Sequence, residues 1–168
     1  MDTTPDCVTG LRLDVTCTVP VAPPALWALL TDVPAIGRWS PECIGARWLD
    51  GATVAAPGAR FAAQNHFPDG VTRDVEGVVT VCDADQLACA WTMLDDDGAD
   101  GSRWRYVLRP AGAGTVVHHS FEHGPGRTGL RWLAEQDPSF VAIRLGELAC
   151  NMSATLVAME RHVLEAAV

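Results

Sequence analysis

The sequence predicts an α+β fold in which a curved antiparallel sheet of about seven strands wraps a long C-terminal helix. Three observations predict it. After Pro138 the chain holds no further proline, and its apolar residues recur at helical spacing to the C-terminus. Between Ala46 and His123 the apolar period is two, interrupted by hairpin-length turns that make neighbouring strands antiparallel. Ahead of that region, one alternating strand is followed by a proline-punctuated stretch long enough for two short helices.

Residues 1–10 read as a loose terminus. Leu11–Val19 alternates apolar and polar and is the first strand. Pro20, Pro23 and Pro24 end it, and Ala25–Thr31 is a short helix with Pro24 near its first turn. Asp32-Val33-Pro34 breaks that helix, and a second one forms around Ala35–Trp39. Arg47–Leu49 is a short strand closed by the Asp50-Gly51 turn. Arg60–Phe67 and Thr72–Cys82 pair across Pro68-Asp69-Gly70, with Val75, Gly77, Val79 and Val81 on one side. Leu87–Leu94 follows, then a polar hairpin loop over Asp95–Ser102, then Arg103–Arg109 and Thr115–His123. Gly124–Gln136 is read as a Gly-rich connection to the final helix. Asp137 and Pro138 are its N-cap and first helical residue. About 28 helical residues span roughly 40 Å. On a helical wheel Leu145, Leu148, Ala149, Met152, Leu156, Met159 and Val163 share a face. Gly146, Ser153, Val157 and Leu164 widen it to roughly 200°. So broad a face calls for a sheet that curves around it.

The 168 residues suit one domain, spanning 1–168, and 48% of them are hydrophobic, enough for a sizeable core. A net charge of −9 without a run of Lys or Arg argues against nucleic acid and against anionic membrane surfaces. The sequence shows no 18-residue apolar run and no basic-then-apolar start, so neither a membrane span nor an export signal is expected. The six cysteines lack Cys-x-x-Cys spacing and read as reduced, mostly buried thiols of a cytoplasmic protein.

Strand alternation assigns the inner face. Phe61, Ala63, Asn65 and Phe67 share a side, as do Cys89, Trp91 and Met93, then Trp104, Tyr106 and Leu108, then Val117, His119, Phe121 and His123. Each is the more apolar set of its strand. Arg60, Arg73, Arg103 and Arg105 project outward, leaving no inner arginine. The polar exceptions inside are Asn65, His119 and the Tyr106 hydroxyl, with Asn151 and Thr155 at the edge of the helix's apolar arc. A neutral His119 can accept a proton, while Tyr106 and Asn65 can hold a carbonyl oxygen. The alternative is an ordinary core, with His119 bonded to Tyr106 or Asn151 and the aromatics filling space. No metal is expected from His118, His119, Glu122 and His123. His118 points away, and about 13 Å of strand separates His119 from His123. Gly124-Pro-Gly-Arg-Thr-Gly129 has dinucleotide-loop letters without the βαβ context, and Asp95–Asp100 lacks the distal glutamate of a calcium loop. No cofactor is expected.

Several local patterns occur in a telling order: Trp27-x-Leu29-Leu30-Thr31-Asp32, Arg38-Trp39-x-Pro41, and Pro57-Gly58-Ala-Arg-Phe61 with Asn65. Ala90-Trp91, Trp104-x-Tyr106-x-Leu108-x-Pro110, Gly114-Thr115 and Asn151-Met152-x-x-Thr155-Leu156 continue it. Across nearly the whole chain this resembles the SRPBCC, START-like superfamily in its polyketide cyclase/dehydrase and lipid-transport branch. The resemblance implies the helix-grip (START/Bet v 1-like) fold, with a ligand cavity between sheet and helix. It also implies that Trp39 stands near the entrance, as gate or as plug. Phe61, Trp91, Trp104, Phe121, Asn151, Met152 and Thr155 are then expected to line the cavity. The implied activity is cofactor-independent cyclisation or dehydration of a hydrophobic carbonyl intermediate in natural-product biosynthesis, with His119, Tyr106 and Asn65 as catalytic groups. The other reading is a non-catalytic carrier or sensor of a hydrophobic small molecule or lipid. The expected partner is that molecule, without nucleic acid or membrane insertion, in a monomer or homodimer.

Overall fold

Period-two segments become strands and the proline-free C-terminus becomes one helix in the computed structural model, which describes residues 6–66 and 70–166. Strand β1 (Arg12–Val19) leads to helix α1 (Pro23–Thr31) and a 3₁₀ helix over Val33–Arg38. Then come β2 (Cys43–Trp48), β3 (Arg60–His66), β4 (Thr72–Asp83), β5 (Ala88–Leu94), β6 (Asp100–Ala111) and β7 (Gly114–His123). Helices α2 (Gly129–Gln136) and α3 (Ser139–Ala166) complete the chain. The strands form a seven-stranded sheet in the order β1-β7-β6-β5-β4-β3-β2, and every pairing is antiparallel. Phe67 and the Pro68-Asp69 turn lie outside the described residues.

Helix α3 lies against the concave face of the sheet. Leu148, Met152, Leu156 and Met159 recur at helical spacing and are exposed by 6%, 2%, 1% and 0%. Each such burial is worth about 1.5–3 kcal/mol. The helix starts at Ser139, one residue past the expected Pro138, and Asp137, which also ends α2, accepts the Ser139 N–H on its Oδ1 at 2.9 Å. The sheet covers only part of the apolar arc, because Val157 and Leu164 remain 62% and 44% exposed. Although no membrane span was expected, α3 is long and apolar enough by length and composition to cross a membrane. It is the core helix of this fold.

The convex face carries the charges. Arg60 pairs with Asp50 and Glu76, Arg47 with Asp74, and Arg103 with Asp100 and Glu122. These are exposed pairs of small individual worth.

Several elements differ from the sequence expectation, each for a local reason. The Gly124–Gln136 connection contains α2, whose N-cap Thr128 accepts the Arg131 N–H. Residues 6–10 are tied down rather than loose: Val8 is 1% exposed, the Gly10 N–H donates to the His123 carbonyl, and Asp6 pairs with Arg131 at 2.9 Å. A bulge between Val79 and Val81 breaks the alternation in β4, so Cys82 rather than Val81 packs on the Phe61 cluster. All six cysteines are free, but only Cys89 is buried, while Cys7 and Cys150 are exposed.

Candidate ligand cavity

The concave face does not close completely on α3. A cavity of about 130 Å³ remains between them. Its sheet wall is Phe61, Ala63 and Asn65 of β3, Trp91 and Met93 of β5, Trp104 and Tyr106 of β6, and His119 of β7. Helix α3 adds Leu148, Asn151, Met152 and Thr155. Leu30, Val33 and Ile36 form a further apolar side, and Ser40, Glu42 and Cys43 a polar one.

Register explains the aromatic wall. Trp91 stands opposite Trp104, Cys89 opposite Tyr106, Tyr106 opposite His119, and Trp104 opposite Phe121. Cross-strand neighbours on one face are close enough to stack. Phe61 meets Trp91 edge-on at 6.5 Å, Trp91 meets Tyr106 at 5.7 Å, and Tyr106 stacks on His119 at 3.7 Å and 17°. Gly77 makes room at one end, since a Cβ there would overlap the Phe61 ring and come within 2.9 Å of Met93 Sδ.

The polar groups differ in how they are held. His119 is 3% exposed, and neither ring nitrogen has a hydrogen-bond partner among the described residues. Burial lowers its pKa to about 3, so the imidazole is neutral at physiological pH. Burial also raises the Tyr106 pKa, with Cys89 and Cys17 adding to the shift, and pushes the Cys89 thiol up to about 12. The Asn151 Nδ2 donates to Glu42 Oε2 at 3.2 Å, and Arg144 Nη2 donates to Glu42 Oε1 at 2.5 Å. The Thr155 hydroxyl donates to the Asn151 carbonyl at 2.8 Å, so towards the cavity it can only accept. The wall groups His119 and Tyr106 are thus neutral, and the lining carboxylate of Glu42 is met by an arginine.

Of the residues expected to line the cavity, the structure brings together His119, Tyr106, Asn65, Phe61, Trp91, Trp104, Asn151, Met152 and Thr155. Two stand elsewhere. Trp39 is buried among Leu26, Leu30 and Met159, with His162 against its ring at 4.7 Å, and plugs the helix pair. Phe121 packs under Leu148 and Met152 behind the cavity. Sequence reasoning missed Ser40, Glu42 and Arg144. Arg144 was legible, being seven residues before Asn151 and four before Leu148 on the same helix face. Glu42 was not, because its place depends on how the loop before β2 meets α3.

The histidine-rich end of β7 is dispersed. His118 faces outward beside Thr16 at 3.1 Å, and Glu122 pairs with Arg103. The His123 ring sits 2.7 Å from the Gly124 carbonyl and 2.6 Å from the Thr128 hydroxyl. Among the described residues, no three His, Cys, Asp or Glu side chains converge on a metal-sized site. Asp95 stabilises its own hairpin and the next loop, accepting from the Asp97, Ala99 and Arg127 backbones.

Residues 11–152 match the family described as polyketide cyclase / dehydrase and lipid transport. The chain belongs to that family. Its fold is shared by TTHA0849 from Thermus thermophilus, with a TM-score of 0.69 at 17% identity over 94% of this chain and 100% of that one. The polyketide-cyclase-like protein Cgl2372 from Corynebacterium glutamicum aligns with a TM-score of 0.59 at 24% identity, over 94% and 93%. The major latex-like protein 151 of Panax ginseng gives 0.62 at 11%, over 91% and 98%. No curated protein matches the chain. Likenesses this distant establish the helix-grip fold alone, and the family supports reading the domain as a small-molecule binder.

Proposed function

We propose that the chain, working as a single domain, binds one neutral, largely apolar small molecule in the cavity between sheet and α3. What carries the reading is the unpartnered His119 imidazole set in an aromatic wall. Buried polar atoms are nearly always hydrogen-bonded, and a ligand that turns the His119 ring towards the cavity supplies the missing partner. The described lining residues leave no charge unpaired, which favours a neutral ligand over a carboxylate or amine. As it stands, the cavity suits about one aromatic ring. Tyr106, Asn65 and Asn151 then anchor a carbonyl or hydroxyl, and Phe61, Trp91, Trp104 and Met152 hold the apolar body. The six free cysteines, two of them exposed, fit a reducing cytoplasm.

A second reading, cyclisation or dehydration of a carbonyl compound, is favoured by the same trio of His119, Tyr106 and Asn65. It ranks second because a histidine depressed so far below neutrality is a weak base at pH 7.

Tryptophan fluorescence tests the first reading, since Trp91 and Trp104 line the cavity. Acetophenone should quench saturably, and benzoate, similar in shape but charged, should not. Met152→Trp, which fills the cavity, should abolish the effect. Equal response to both compounds, or binding that survives Met152→Trp, would overturn it. If turnover of a ketone substrate is found and His119→Ala lowers it by roughly 10²–10⁴ with little change in affinity, the second reading replaces the first.

A further inference from the structure

We propose that the outward stripe of α3 is a homodimer interface, in which two copies pack α3 antiparallel about a two-fold axis beside Ser153 and Ala154. The stripe is Ile143, Cys150, Val157 and Leu164, each seven residues from the next. A seven-residue repeat keeps side chains in one seam for a partner helix. All four are exposed, Ile143 by 59%, Val157 by 62% and Leu164 by 44%. The most apolar 18-residue window of α3 is only 28% buried, so the sheet leaves this surface uncovered.

Charge complementarity about one centre identifies the occupant. A two-fold axis at the midpoint of the stripe, between Ser153 and Ala154, sets Ile143 against Leu164 of the second copy and Cys150 against Val157 of the second copy. The flanking charges share that centre to within one residue: Glu147 and Arg161 lie seven residues either side of Ala154. Antiparallel packing therefore brings each Glu147 beside the other copy's Arg161, twice. Within its own chain Arg161 makes no ion pair among the described residues, and Glu147 lies 3.4 Å from Arg144. The residues at the axis are small and exposed, which lets the helices approach closely. An isologous interface needs this self-complementarity, whereas an unrelated partner does not. A net charge of −9 and the lack of a basic cluster disfavour an anionic membrane as the occupant.

The stripe is about 32 Å long. Alone it falls short of the roughly 800 Å² per partner of a standard interface. The exposed Phe140, one helical turn before Ile143, extends the apolar surface at its N-terminal end. A reversible association in the micromolar range fits these dimensions.

Sedimentation velocity of the full chain at increasing micromolar concentrations should show a monomer–dimer equilibrium. Val157→Glu should abolish the dimer while far-UV circular dichroism stays unchanged. Glu147→Arg and Arg161→Glu should each weaken it by roughly tenfold, through like charges placed opposite one another. The double exchange should restore it. A monomer at every concentration, or a dimer indifferent to Val157→Glu, would overturn the proposal, as would failure of the double exchange. Co-sedimentation of the protein with phosphatidylcholine–phosphatidylglycerol vesicles, with no dimer in solution, would assign the stripe to a membrane instead.

Discussion

His119 and His123 sit four residues apart on the same face of β7, exposed by 3% and 1%, and their surroundings differ in one respect. His123 has both ring nitrogens satisfied. The Gly124 carbonyl can only accept, so Nδ1 carries the proton, and the Thr128 hydroxyl donates to Nε2. Thr128 in turn accepts the Arg131 N–H, and Arg131 reaches Asp6, Thr9, Gly124 and Gly126. That corner is closed by chain returning from both directions. No described segment returns over His119 to bond it. Tyr106 stacks on one side, Trp104 lies nearby, and both nitrogens are left without a partner. Equal burial thus separates into a histidine bonded into the fold and a histidine left without a partner.

The largest expected effect is at the closed corner. His123→Ala removes two buried hydrogen bonds and leaves a void, and should lower unfolding stability in urea by about 3 kcal/mol. A loss under about 1 kcal/mol would erase the distinction between the two histidines.

The pH dependence sharpens the contrast. The native pKa of His119 is depressed to about 3, below the ordinary 6.5. Above pH 6.5 the ring is neutral in both folded and unfolded chains and contributes no pH dependence. Between 6.5 and about 3 the unfolded chain binds a proton that the folded chain refuses. Stability should therefore fall by up to about 1.4 kcal/mol per pH unit on acidification. His123 is also depressed, chiefly by burial, and adds in the same direction. The difference between wild type and His119→Phe, measured by urea unfolding from pH 7 to pH 4, isolates the His119 contribution.

At neutral pH, His119→Phe keeps a flat ring on Tyr106 and removes two unsatisfied nitrogens. Stability should stay level or rise by about 1 kcal/mol, while acetophenone affinity falls. Destabilisation of the size expected at His123 would mean that the His119 nitrogens are paired in solution. The smallest effect belongs to the neighbouring outward histidine: His118→Ala should change stability by no more than about 0.5 kcal/mol and leave binding untouched. A larger effect would point to an inverted strand register.

Much of this architecture was legible because two periods fix which way side chains point. Alternation in β3, β5, β6 and β7 placed Phe61, Trp91, Tyr106 and His119 on the inner face, and helical spacing placed Leu148, Met152, Leu156 and Met159 against them. Helix α2 stands where Gly124, Gly126 and Gly129 suggest a loop, although Thr128 caps it and Leu130, Leu133 and Ala134 are helically spaced. The β4 bulge was not legible, since nothing in Val79-Thr80-Val81 marks where pairing with β5 slips. The sequence alone therefore determined the order of the strands, the long helix and the side of the sheet on which Phe61, Trp91, Trp104 and Tyr106 stand, because those follow from local backbone geometry, while β2 begins at Cys43 rather than Arg47 and β6 at Asp100 inside the expected loop. Only the tertiary structure decided that His123 is satisfied and His119 is not, that Trp39 is a plug, and that Glu42 meets Arg144 and Asn151. Those outcomes depend on which distant segments return to cover a given face, and neither period encodes that.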